Sequence, residues 1–155
     1  YFTSLPRLVE RLRRAGAGAI VAFNRFYQLD IDTEKLVLSP GYQFSAPEEI
    51  HTALRWISIL SGDTGAELVG STGVYTGTDV VKMLLAGATA VQVCSAVYRN
   101  GYERITEMNR DLEGWMKKHG FGSVAEFRGR LSQAGSSTPE AYERLQYIKA
   151  ITGVS

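Results

Sequence analysis

The sequence predicts an α/β fold in which parallel strands alternate with helices, amounting to the C-terminal part of a (β/α)8 barrel. Three observations predict it. A continuous apolar run at 19–23 has the pattern of a strand buried on both faces, and further strands are expected at 67–71 and 90–94. Amphipathic helical patterns separate them, and strands alternating with helices imply a parallel sheet. The last two strands end in small-residue turns, Thr72-Gly73-Val74 and Cys94-Ser95, about one βα unit apart. Such a pair of turns makes a phosphate cradle, which in a barrel follows strands 7 and 8. The chain has 155 residues, whereas a whole barrel takes roughly 250. The expectation is therefore about strands 6–8 with their helices, the N-terminal half being absent. A first residue Tyr1 in place of Met agrees with that expectation.

Each element follows from its pattern. Leu5, Leu8, Val9 and Leu12 recur at i, i+3, i+4 and i+7, which predicts a helix over 5–15. Ser4 can cap it, Pro6 suits its first turn and Gly16 stops it. Residues 26–46 read as loop, with one short strand at 35–38. Pro47 opens a helix with Glu48 and Glu49 in its first turn. Ile50, Ala53, Leu54 and Ile57 form its inner face, and it ends near Gly62. Thr78 is positioned to cap a helix at 79–86. A long helix at 102–119 turns Ile105, Met108, Leu112, Trp115 and Met116 inward. Ser123 and Glu126 make a capping box for a short helix reaching Leu131. Residues 133–138 read as a Gly/Ser linker and 139–150 as a terminal helix. The whole chain is then one partial domain, with 1–132 in the barrel half and 133–155 as linker and terminal helix. Ala15-Gly16-Ala17 and Ala86-Gly87-Ala88 each end a helix and lead into a strand, a weak internal echo of repeated βα units.

Composition narrows the function classes. A net charge of +1 gives no field that would draw nucleic acid or a membrane surface. Arg7, Arg11, Arg13 and Arg14 sit on one helix as a solvated face with favourable charge at its C-terminus. No apolar run reaches the roughly 20 residues of a membrane span. The one cysteine, Cys94, excludes an internal disulfide and fits a reducing, cytoplasmic setting. After an apolar strand it reads as a buried small residue rather than a reactive thiol. Asp30, Asp32 and Glu34 read as a solvated turn rather than a cation site. His51 and His119 have no metal or dyad spacing, so no metal site is expected. Gly73 and Gly77 allow the backbone to approach a ligand closely. Tyr75 either covers that ligand or packs on the turn.

At several blocks the chain resembles a known family. Phe23-Asn-Arg-Phe-Tyr-Gln-Leu-Asp-Ile-Asp32, Leu54-Arg-Trp-Ile57, Gly73-Val-Tyr-Thr-Gly77, Val80-Val-Lys-Met-Leu-Leu-Ala-Gly-Ala88, Val91-Gln-Val-Cys-Ser95 and Phe127-Arg-Gly-Arg-Leu131 resemble the C-terminal part of dihydroorotate dehydrogenase. The similarity runs through nearly the whole chain in order, and is strongest to the bacterial dihydroorotate dehydrogenase-like branch of class 1. Several blocks in order are stronger than one glycine motif.

The resemblance implies a (β/α)8 barrel that binds FMN and oxidises dihydroorotate to orotate in pyrimidine synthesis. It places Thr72, Gly73 and Val74 at the strand 7 turn beside the FMN phosphate. Cys94 and Ser95 fall at the strand 8 turn, and Asn24 at the end of strand 6 beside flavin and substrate. A carboxamide there can both donate to and accept from a pyrimidine edge. Ser45 is a further cofactor candidate. The implied partners are a small orotate-like substrate and, for the full-length protein, a second copy in a homodimer. Three positions depart from the family pattern. Its Gly-Gly pair is Thr72-Gly73, its small Gly at strand 8 is Cys94, and its Ser or Thr after the asparagine is Arg25. The first two leave a tighter cradle, and the third bears on substrate identity. The family's base and its strand 5 lysine would both precede Tyr1, so no catalytic residue is expected within this chain. Two rival readings are another flavin or phosphate-binding barrel with a different substrate, and a non-catalytic module.

Overall fold

The structure, a computed structural model, describes residues 4–25, 29–41, 44–137, 139 and 142. Its first element is helix α1, Leu5–Arg14, followed by strand β1, Ala19–Ala22. A hairpin of β2, Leu29–Asp32, and β3, Val37–Pro40, comes next. A 3-10 turn at Pro47–Glu49 leads into α2, Ile50–Asp63. Then come β4, Glu67–Gly70, α3, Gly77–Ala86, and β5, Ala90–Val91. Two helices follow, α4, Ser95–Asn100, and α5, Glu103–His119, then a 3-10 turn at Val124–Glu126.

The expected parallel sheet is present. Its order is β1-β4-β5, with both pairs parallel. Ile20 lies opposite Leu68, Ala22 opposite Gly70, and Gly70 opposite Val91. Crossovers through α2 and α3 make this order, and α2 packs on β1, β4 and α3. The core cluster lies on that side. It holds Val9, Ala22, Ile50, Ala53, Ile57, Leu60, Leu68, Val74 and Met83.

The strands are not buried on both faces, as their composition suggested. Burial alternates instead. Leu68 and Gly70 are buried and Glu67 is exposed on β4, while Ala22 is buried and Val21 is 44% exposed on β1. Among the described residues the helices cover one face of β1 and β4, so only alternate side chains find a core. Ala22 is buried, and Ile20, Val91 and Val93 are half-buried.

Other boundaries moved for local reasons. Helix α3 begins at Gly77, and its cap is Thr76, not Thr78. Thr76 Oγ1 accepts from the Asp79 N–H, and Asp79 accepts from the Thr76 N–H, a reciprocal capping box. Strand β5 keeps only two residues, because the chain turns into α4 at Ser95. Ile105 is 44% exposed rather than inward, whereas Met108 is buried. Ser4 makes no side-chain capping bond to α1. Ser123 caps no backbone N–H, and its hydroxyl donates to Glu126 instead. The expected short strand at 35–38 is half of a hairpin, with Ile31 opposite Leu38. The stretch read as a linker is docked. The Gln133 N–H donates to the Ser58 carbonyl, and Ala134 lies against Gly62. The expected helix at 139–150 falls, apart from residues 139 and 142, outside the described residues.

Candidate functional site

Parallel strands bring their C-terminal ends to one edge. Here that edge collects the ends of β1 and β4 and the start of α4. The ladder runs on past the strands, with the Ser71 N–H donating to Ala22 and the Gln92 N–H to Gly70. Asn24 is exposed just beyond β1, with Thr72 at the corresponding place beyond β4. The Thr72 hydroxyl donates to the Phe23 carbonyl at 2.8 Å and ties the two strand ends together.

The turn after β4 has an unusual backbone. Thr72 has φ 79° and Gly73 φ 74°. Glycine adopts this region freely, but a β-branched residue pays for it. Gly73 and Val74 are buried. Among the described residues no protein acceptor takes the backbone N–H groups of Thr72, Gly73 or Val74. Three such donors on one turn, at the end of a parallel strand, suit an anionic oxygen group.

The two glycines also have a packing reason. A Cβ on Gly73 would lie 2.3 Å from the Ile50 nitrogen, and one on Gly77 would lie 2.2 Å from the Asp111 Cβ. The backbone at these two positions comes close to α2 and α5. Gly73→Val would therefore disturb packing before it disturbed any ligand.

Two expected cofactor residues meet across 50 positions. Ser95 Oγ accepts from the Ser45 N–H at 3.0 Å and from the Ser45 hydroxyl at 2.9 Å. Ser95 is the acceptor in both bonds, which leaves its own O–H to donate. Ser45 is buried. Its carbonyl accepts from the Tyr75 hydroxyl. The Tyr75 carbonyl in turn accepts from Arg104 at 2.9 and 2.7 Å. Tyr75 thus packs on the turn and clamps it to the loop of Ser45.

Cys94 is exposed, which corrects the reading of a buried small residue. It precedes α4, and its carbonyl accepts from Val97 and Tyr98. Asp32 behaves as a turn former, accepting the N–H groups of Glu34 and Lys35. Those bonds, the Lys35 N–H first, hold its carboxylate below its ordinary value. No group of metal-binding side chains occurs among the described residues. No helix among them is long and apolar enough to cross a membrane.

Arg25 does not stand open toward a ligand. Its Nε donates to both carboxylate oxygens of Glu49, at 3.1 and 2.9 Å, and both side chains are largely buried. Glu49 precedes Ile50, whose backbone lies over Gly73. The pair therefore joins the end of β1 to the start of α2 beside the β4 turn. Sequence reasoning missed Glu49 as a partner, because nothing in a separation of 24 residues signals it.

The family model for dihydroorotate dehydrogenase matches residues 12–116. The chain belongs to the dihydroorotate dehydrogenase family. The catalytic subunit of dihydroorotate dehydrogenase B (NAD(+)) from Thermococcus kodakarensis is 36% identical over 120 residues, covering 74% of this chain and 39% of that protein. The chloroplastic dihydropyrimidine dehydrogenase (NADP(+)) of Arabidopsis thaliana is 39% identical over 134 residues, covering 77% of this chain and 32% of the relative. This family member thus spans about two fifths or less of these relatives. A ligand-free DHODH from Eimeria tenella matches its fold with a TM-score of 0.65 at 19% identity, over 80% of this chain and 35% of that one.

Proposed function

We propose that this chain is the FMN-binding, C-terminal part of a (β/α)8 barrel that oxidises dihydroorotate to orotate. One observation carries the reading. Thr72, Gly73 and Val74, whose N–H groups have no protein acceptor among the described residues, lie at the same sheet edge where Ser45 and Ser95 join. That edge is where barrel enzymes hold phosphorylated ligands. Family membership supports the chemistry. The residues fit a flavin phosphate: the turn after β4 supplies backbone donors, and Ser95 supplies a hydroxyl. When bound, the flavin supplies the two-electron redox chemistry.

The chain's own residues bind and orient. Thr72 fixes the end of β1 through Phe23 and so sets the position of Asn24. Asn24, exposed at that edge, can offer both N–H and C=O to a pyrimidine ring. The proton acceptor for the substrate lies on another part of the barrel in this reading. The face of the sheet opposite the helices, with Val21 exposed, is the face a closed barrel would pack inside.

A second reading keeps the flavin and changes the substrate. Arg25 is already neutralised by Glu49, so it brings no net charge to a substrate carboxylate. That favours a dihydropyrimidine ring without one, in line with the 39% identity to a dihydropyrimidine dehydrogenase. One experiment separates these. The full-length protein that carries this segment is purified and assayed for bound FMN, then given dihydroorotate or dihydrouracil without oxygen or any other acceptor. Bleaching by dihydroorotate supports the first reading, and bleaching by dihydrouracil alone supports the second. Absence of flavin after reconstitution refutes both.

A further inference from the structure

Arg99 is an exposed cation. It lies on α4, four residues after Ser95 and so on the same face of the helix. Its guanidinium carbon is 5.6 Å from the centre of the Phe44 ring and 5.8 Å from the centre of the Tyr75 ring. Both rings are themselves held. Phe44 packs against Tyr98 at 5.7 Å between ring centres. Tyr75 is fixed through its hydroxyl to Ser45 and through its carbonyl to Arg104.

Contact with a ring face places a guanidinium without consuming its N–H groups. Among the described residues, arginine ion pairs form at Arg14, Arg25, Arg104 and Arg128, and Arg99 has no carboxylate within reach. A helical side chain leans back toward the N-terminus of its helix, here over the turn that begins at Ser95. Phe44 is the neighbour of Ser45, whose hydroxyl meets Ser95. Three separate segments, at 44–45, 75 and 95–99, thus hold on the helix that begins at Ser95 a guanidinium with no ion pair among the described residues.

We propose that Arg99 receives the phosphate monoester of the bound flavin nucleotide and makes the site select a phosphorylated flavin over an unphosphorylated one. The proposal rests on the flavin reading above. A guanidinium offers two parallel N–H groups to two phosphate oxygens and adds a full positive charge that backbone amides lack. A surface cation with no ligand is the alternative that must be tested.

The test compares FMN with riboflavin, which lacks the phosphate. Flavin is stripped from the purified full-length protein that carries this segment, and each compound is titrated back by fluorescence quenching. Wild type, Arg99→Gln and Arg99→Lys are compared at low and high salt. Arg99→Gln should lose about 10- to 100-fold in FMN affinity, the scale of a charged hydrogen-bond pair, with riboflavin affinity unchanged. Arg99→Lys should retain part of the preference, and the salt dependence of FMN binding should flatten in Arg99→Gln. An unchanged FMN-to-riboflavin ratio in Arg99→Gln would overturn the proposal while leaving the flavin reading intact. An equal loss for both compounds would also overturn it, because the effect would not concern the phosphate. A wild-type protein that binds neither compound would refute the flavin reading and the proposal with it.

Discussion

Thr72 holds a backbone angle that favours glycine, with φ 79°. A Cβ in this region costs about 1–2 kcal/mol. The bond from its hydroxyl to Phe23 offsets part of that, by about 1 kcal/mol. Thr72→Ala keeps the backbone cost and loses the bond, so it should lower stability by about 1 kcal/mol in urea unfolding. Thr72→Gly loses the same bond but relieves the backbone, so it should fall close to wild type after the usual glycine entropy of about 0.5–1 kcal/mol. An alanine variant as stable as wild type would show that the hydroxyl bond does not compensate. The strained position was legible only indirectly, as a departure from a glycine pair. The meeting of Ser45 and Ser95 was not legible at all, since their contact depends on how α2 and α4 are placed. The exposure of Cys94 was misread for a related reason. The strand before it stops after two residues, so it lies on a turn rather than in a packed strand.

At the scale of elements, helices with a full apolar stripe were readable and short pieces were not. Helices α1, α2 and α5 each repeat the stripe over several turns. Helix α4, at six residues, is too short to show one. The hairpin of β2 and β3 turns without a glycine. Leu36 takes φ 52° there, and the Asp32 carboxylate organises the turn. Its sequence therefore lacks the usual Asn-Gly or Gly signal. The start of α3 was within reach of sequence, because Thr76 and Asp79 have the spacing of a capping box.

That box makes a prediction with a pH signature. Burial would raise the Asp79 pKa, but bonds from Thr76, Lys82 and the Tyr75 N–H outweigh it and hold the value below the ordinary 3.8. A carboxylate lowered in the folded state stabilises above its unfolded pKa and loses that effect as pH falls through the folded value. Asp79→Ala should therefore cost about 1 kcal/mol at neutral pH. The gap to wild type should close below pH 3.8. Urea unfolding of both proteins at neutral and acid pH measures it, and a gap that persists in acid would contradict the charge argument. The loop of Ser45 and the start of α4 make a second prediction. Ser95→Ala orphans the buried Ser45 N–H and should cost about 1–3 kcal/mol. Ser45→Ala keeps that N–H bond and should cost less. The double variant should be no worse than Ser95→Ala by more than about 0.5 kcal/mol, and full additivity would show that the two hydroxyls act independently.

Over the whole molecule, the three parallel strands were legible because each is a short run between helical patterns, the first of them apolar throughout. What the runs could not show was which face each residue meets. Apolar composition on both sides of a strand suggests two cores, yet among the described residues the helices supply one. Leu68, on the central strand, is fully buried against them. Val21, on the edge strand and turned the other way, is 44% exposed. The two residues are alike in chemistry and differ in which side of the sheet they occupy. In the 155-residue chain, Leu68→Ala should cost about 2–5 kcal/mol through lost burial and the cavity left behind. Val21→Ala should cost under about 1 kcal/mol, since half its surface already meets water. Denaturant midpoints of the two variants test this directly. A comparably large loss at Val21 would mean that its face of the sheet is packed in the folded chain, and that the one-sided core described here is incomplete.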